Sequence, residues 1–291
     1  MMRHAPSIGL GLGLSLRGSG GVGFRGLLDQ YGGAAAAYSL RALSSGWLAG
    51  DVVEVRRSSD STTQDFTASQ ILNGDLVTFC GVGDGFVSTW YDQSGFANDA
   101  TQATTTAQPK IVSAGALVTD ADGNNTIKFD GVDDRLDCGA RIVELSQNAA
   151  YVCAVSDRTG ISDIEAAYIL AEGDAVSPYS SNFILGGPGA GTEVLWVNAT
   201  TFGSGTSGNQ LLSFTWNGTN EFQAYIDGAT SGTAGSATVN SETSNTFIGC
   251  RADETINFTK RKIAEIITWK SDQSANRAAI ETNINDHYGI Y

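Results

Sequence analysis

Two stretches of this chain gather side chains that could do chemistry. In DQSGFAND (Asp92–Asp99), the residues Asp92, Gln93, Ser94, Asn98 and Asp99 bring carboxylates and amides into one short loop. Three uses fit those residue types: binding sugar hydroxyls, giving oxygens to a cation such as Ca²⁺, or hydrogen-bonding the loop's own backbone. FDGVDDRL (Phe129–Leu136) offers carboxylates in the same way, and neither stretch has EF-hand spacing. The self-capped turn needs no ligand, so no metal and no cofactor is expected. Trp47 sits in a Ser-Gly-Trp loop whereas the other tryptophans fall mostly inside strand patterns, so Trp47 with Asp92, Asn98 and Asp99 forms a candidate glycan loop. His4 and His287 lie near the termini, far from any nucleophile motif, which leaves a Ser-His-Asp triad without support. The chain has no phosphate-binding loop and no dinucleotide fingerprint.

The elements that must position these residues are short strands. Upstream of Asp92, Phe86, Val87, Thr89, Trp90 and Tyr91 follow a glycine-rich turn and read as a strand with a buried face. Other strands are expected near Ala37–Leu43, Val52–Arg57, Val77–Cys80, Lys110–Val112, Thr126–Phe129, Tyr151–Val155, Tyr168–Ala171, Asn182–Leu185, Glu193–Asn198, Thr246–Cys250 and Ile263–Trp269. Leu211–Gly228 is the clearest hairpin, with Phe214, Trp216, Phe222, Ala224 and Ile226 directed to a core across an Asn-Gly turn. A helix is expected over Asp272–Tyr288, covering a sandwich edge, because Ile280, Ile284 and Tyr288 recur at helical spacing and Gly289 can stop it.

Residues 1–26 read as an N-terminal docking arm ahead of one domain over residues 27–291. Leu10, Leu12, Leu14 and Leu16 alternate with small residues and would share one side of an extended strand. That side could be donated to a neighbouring subunit, as an assembly arm, or the stretch could be a disordered tail.

The runs AAYSLRALSSGWLAGDVVEVRRSSD (Ala36–Asp60) and FCGVGDGFVSTWYDQSGFANDATQ (Phe79–Gln102) resemble the opening of α-L-arabinofuranosidase B catalytic domains. FDGVDDRL is similar to a turn common in laminin-G and concanavalin A-like modules, including many from bacteriophage virion proteins. The resemblance implies an all-β, concanavalin A-like jelly-roll sandwich with an extended N-terminal arm and a short C-terminal helix. It also implies a retaining carboxylate pair, with Glu172 of YILAEGD at the nucleophile's place and Asp253 of FIGCRAD at the acid/base place. The family's vicinal cysteine pair is missing, since Ile164 and Glu165 stand near its position, and Cys80 has no partner around Gly85.

Composition bounds the rest. The 291 residues include 36 glycines but only 4 prolines, which suits tight turns between short strands. A formal charge of −14 argues against binding a nucleic-acid backbone, and no apolar run is long enough to span a bilayer. Cys80, Cys138, Cys153 and Cys250 are too scattered for a zinc site, and disulfides stay open. The sequence therefore points first to a non-enzymatic virion decoration or fibre protein of a tailed bacteriophage. Its expected partners are other virion proteins, further copies of itself and a host-surface carbohydrate. The alternative is a secreted retaining glycoside hydrolase of arabinofuranosidase type.

Overall fold

The computed structural model describes residues 23–160, 168–173, 181–186, 193–197, 200–204, 208–239, 244–251 and 258–291. In chain order the elements are α1 (Leu27–Gln30), β1 (Ala36–Ser39), β2 (Asp51–Arg57), β3 (Thr63–Thr67), α2 (Ala68–Leu72), α3 (Asp75–Cys80), β4 (Gly85–Trp90), β5 (Ala100–Thr101), β6 (Lys110–Ser113), β7 (Ala116–Leu117), β8 (Ile127–Lys128) and β9 (Leu136–Asp137). The second half adds β10 (Ala150–Asp157), β11 (Leu170–Gly173), β12 (Ser181–Leu185), β13 (Glu193–Val197), β14 (Thr200–Ser204), β15 (Asn209–Trp216), β16 (Phe222–Ile226), β17 (Ala229–Gly235), β18 (Phe247–Ile248), β19 (Lys262–Trp269) and α4 (Arg277–Tyr288).

Among the described residues every strand pairing is antiparallel. One layer runs β1–β19–β10–β15–β16–β17. The other runs β14–β13–β12–β11–β18–β9–β5–β4–β2–β3. Strand β8 joins them at a corner, pairing with β19 on one side and β6 on the other. The interlayer core takes Val152, Leu212, Phe214 and Ile266 from the first layer, and Val53, Val87, Leu136, Leu170 and Phe183 from the second. The chain is a concanavalin A-like β-sandwich, as its periodicity and resemblance suggest.

Strand β10 is buried on both faces, and its alternation explains why. Ala150, Val152 and Ala154 enter the interlayer core, while Tyr151, Cys153 and Val155 point the other way into a second cluster with Trp269, Ile280, Ile284 and Tyr288. Helix α4 therefore covers the outer face of the β10–β15–β19 layer rather than a sandwich edge. It begins at Arg277, not near Asp272, because the Asp272 carboxylate accepts from the Ser274 N–H at 2.8 Å and closes a turn there. Gly289 ends the helix in the left-handed region at φ 65°.

The expected strand at Val77–Cys80 is instead helix α3. Gly74 opens it at φ 91°, and Leu76 and Cys80, one turn apart, share the buried side. Strands β5, β7, β9 and β14 have no expected counterpart, and neither do the edge strands β3 and β17. Each of these last two pairs on one side only, and their polar or small sequences lack the apolar alternation that marks a half-buried strand. All four cysteines are buried, and none is joined in a disulfide.

Candidate active site

The Asp92–Asp99 loop holds itself. The Asp92 carboxylate accepts from the backbone N–H groups of Ala37 (2.8 Å), Ser94 (2.8 Å) and Asn98 (3.0 Å), and from the Ser94 hydroxyl (2.7 Å). Asp99 accepts from the Asp92 N–H at 2.9 Å, and the Asn98 amide donates to the Ala35 carbonyl at 2.8 Å. Gln93 accepts from the Leu43 N–H and donates to the Ser39 and Arg41 carbonyls, so the loop ties β1 and its exit to the end of β4. Trp90 is fully buried, whereas Tyr91 is half-buried with its hydroxyl donating to Asp65 at 2.7 Å. Trp47 donates its Nε1–H to the Asp51 carbonyl at 3.0 Å.

Glu172 lies on β11 two residues after Leu170, and so on the same face. Leu170 belongs to the interlayer core, and Glu172 is 1% exposed. Its carboxylate accepts from the N–H of Val143 at 3.0 Å, from that of Glu144 at 2.7 Å and from the Thr246 hydroxyl. It braces the 142–146 segment against β11, just before a β-bulge that follows Glu172. Asp253 lies outside the described residues. Strand β18 pairs Leu170 with Ile248, and the Gly249 N–H donates to the Ile169 carbonyl, so β18 runs out at the end of β11 opposite Glu172.

A third carboxylate group lies in the FDGVDDRL turn, where one oxygen each from Asp130, Asp133 and Asp134 lie within 4.8 Å of one another. Among the described residues these are the side chains that could together hold a cation. Asp130 already caps the turn through the Val132 N–H at 2.7 Å, and Asp134 accepts from the Asp130 N–H at 2.9 Å. Burial, reinforced by the neighbouring Asp130 charge, pushes the Asp134 carboxyl up to about 7. A carboxyl raised in the folded state costs nothing below its unfolded value near 4. The cost grows as pH rises toward 7 and stays at its full size above that. Asp134→Asn should therefore gain about 2–4 kcal/mol over the parent between pH 4 and pH 8. Denaturant titrations at both pH values test this, and parallel pH dependence of the two proteins would refute it.

Alternation and spacing do not reveal a buried polar network joining Arg41 of the β1 exit to Glu265 in the middle of β19. Arg41 donates to Glu265 through Nε at 2.8 Å and Nη2 at 3.0 Å, and Ser39 adds a bond at 2.7 Å. Burial raises the Glu265 carboxyl, but the Arg41 guanidinium outweighs it and leaves the group below its ordinary value. The signal available in the sequence was one acid inside the apolar run KIAEIITW. Leu10, Leu12, Leu14 and Leu16 lie outside the described residues. Phe24, two residues into the described chain, borders an apolar cavity of about 480 Å³.

No known family and no curated protein matches the sequence. The fold does have solved counterparts. A GH54 α-L-arabinofuranosidase soaked with a cyclic sulfate inhibitor shares 16% identity at a TM-score of 0.67, over 88% of this chain and 63% of that one. A mutant of a GH54 α-L-arabinofuranosidase soaked with 4-nitrophenyl α-L-arabinofuranoside gives 15% and 0.65 over the same shares. An arabinofuranosidase complexed with arabinofuranosyl-α-1,2-xylobiose gives 15% and 0.59, again over 88% and 63%. At this identity the likeness establishes the shared sandwich, and the chain spans under two thirds of those proteins' length. It also overturns the non-enzymatic virion reading drawn from the sequence: these three counterparts are sugar-cleaving enzymes, and none is a virion protein.

Proposed function

We propose that the chain is a glycoside hydrolase of arabinofuranosidase type, which removes arabinofuranosyl groups from a larger glycan with Asp253 as its acid/base. The observation that carries the reading is the sandwich itself, which follows arabinofuranosidases solved with inhibitor, substrate and oligosaccharide over 88% of the chain. The two runs that resemble that family support it, since they form β1, β2 and β4 and the loop that ties them together. Glu172 is assigned a positioning role. A retaining nucleophile must reach the anomeric carbon, whereas the Glu172 carboxylate faces the core and already accepts three hydrogen bonds. The nucleophile is then a different carboxylate.

The full chain should release 4-nitrophenol from the aryl arabinofuranoside. Asp253→Asn should slow cleavage of an arabinosylated oligosaccharide by about 10²–10⁴-fold, with a smaller loss on the aryl substrate, whose leaving group needs little protonation. A furanose cyclic sulfate should leave one covalent adduct, and peptide mapping should place it outside residues 170–173. Neither release nor adduct would end the hydrolase reading. A second reading, a glycan-binding sandwich without turnover, is favoured by the inward-facing Glu172, and it predicts arabino-oligosaccharide binding with no adduct.

A further inference from the structure

Seven large apolar side chains are conspicuously exposed among the described residues, and three of them, Phe24, Leu48 and Leu72, border the same cavity of about 480 Å³. Leu27 and Ala68 also line it, as do Asn283, Asp286 and His287 of α4. Leu72 is 78% exposed and Phe24 and Leu48 are each 49% exposed, a concentration of apolar surface that usually marks a contact site. Chain position identifies what could cover it. Phe24 is itself part of the wall, so the residues that precede it enter the described structure at the groove.

Those residues contain Leu10, Leu12, Leu14 and Leu16, alternating with Gly11, Gly13 and Ser15. In an extended conformation the leucines share one side, and the small residues on the other leave the backbone slim enough to lie in a shallow groove. The seven residues from Arg17 to Gly23 separate Leu16 from Phe24, and four of them are glycine. Fully extended they reach about 25 Å, and their glycines allow the chain to turn back on itself. A tether that short holds the leucine run at an effective concentration in the millimolar range, above that of a second copy in dilute solution.

We propose that the groove seats the protein's own N-terminal leucine stretch, with the leucine side of residues 10–16 laid against Leu48 and Leu72 as a strap over the α2 and α4 surfaces. The strap is intramolecular, where the sequence alone left a neighbouring subunit as the acceptor.

Hydrogen exchange on the full-length protein tests this. Backbone amides of residues 10–16 should exchange at least about tenfold more slowly in the parent than in Leu48→Asp or Leu72→Asp. Both leucines are exposed, so the melting temperature of these variants checks that the sandwich is intact. Leu12→Asp with Leu14→Asp should release the same amides from the other side of the contact. Trypsin should cut after Arg17 faster in all of these variants. Light scattering should give a monomer mass, with the protection unchanged on dilution. Equal exchange in parent and variants would overturn the proposal. So would protection that fades on dilution together with a dimer mass, which would assign the groove to a second copy's arm. None of these readouts depends on turnover, so the fate of the hydrolase reading does not decide the result.

Discussion

Replacing Trp90 with alanine is expected to destabilise the sandwich by about 3–5 kcal/mol, the usual range for truncating a large buried aromatic. Trp90 is fully buried at the end of β4, and its ring packs on Tyr38 of the opposite layer with centroids 5.7 Å apart. The loss therefore falls on the contact between layers and leaves a cavity there. Its indole N–H has no hydrogen-bond partner, which makes a second substitution informative. Trp90→Phe keeps much of the ring and removes the unsatisfied donor, whose burial costs about 1–3 kcal/mol, so it should lose less than half as much as alanine. Urea titrations with an unchanged slope would measure both. A loss below about 1.5 kcal/mol for Trp90→Ala would mean that the ring is not a structural centre.

Arg41→Ala is expected to cost about 3–5 kcal/mol near neutral pH, because it strands a buried carboxylate rather than removing a surface ion pair. Glu265 is 1% exposed, and Arg41 supplies both the opposing charge and two of its hydrogen bonds. The pH dependence has a definite sign. With Arg41 present the Glu265 carboxyl is depressed, so its contribution is in place above pH 4.5 and is lost as pH falls through the folded-state value. Without Arg41 only burial remains as the dominant influence and pushes the carboxyl up. The variant's deficit should therefore shrink toward pH 4, where Glu265 can be protonated. Combining Arg41→Ala with Glu265→Gln should recover part of the loss. A deficit independent of pH would instead attribute the effect to the lost packing of the arginine stem.

Much of the sandwich was legible from period-two alternation. Leu211–Trp216 and Phe222–Ile226 pair as their apolar positions suggest, because Phe214, Trp216, Phe222 and Ala224 must share one core face. Alternation was silent where a strand contributes little apolar surface, as at β3 and β17. It misled at Val77–Cys80, where four residues are too few to separate a strand from one buried helical turn. The candidate site was harder to read for a different reason. Periodicity puts Leu170 and Glu172 on one face of β11 but does not say which face meets the core, and that choice decides whether a carboxylate can meet a sugar. The Arg41–Glu265 pair joins residues 224 positions apart, a distance no local pattern spans.

Strand β19 is hydrogen-bonded to β1, β8 and β10, and it immediately precedes the helix that closes the outer face of its layer. The Ser39 hydroxyl of β1 therefore waits for the acceptor of its proton, Glu265, 226 residues further along. During synthesis β1 and one edge of β10 emerge from the ribosome long before the strand that belongs between them. Contacts this distant in sequence also slow closure once the chain is complete. The sandwich can thus assemble only after β19 has been made, and until then the nascent chain exposes two unpaired strand edges that a chaperone would need to shield.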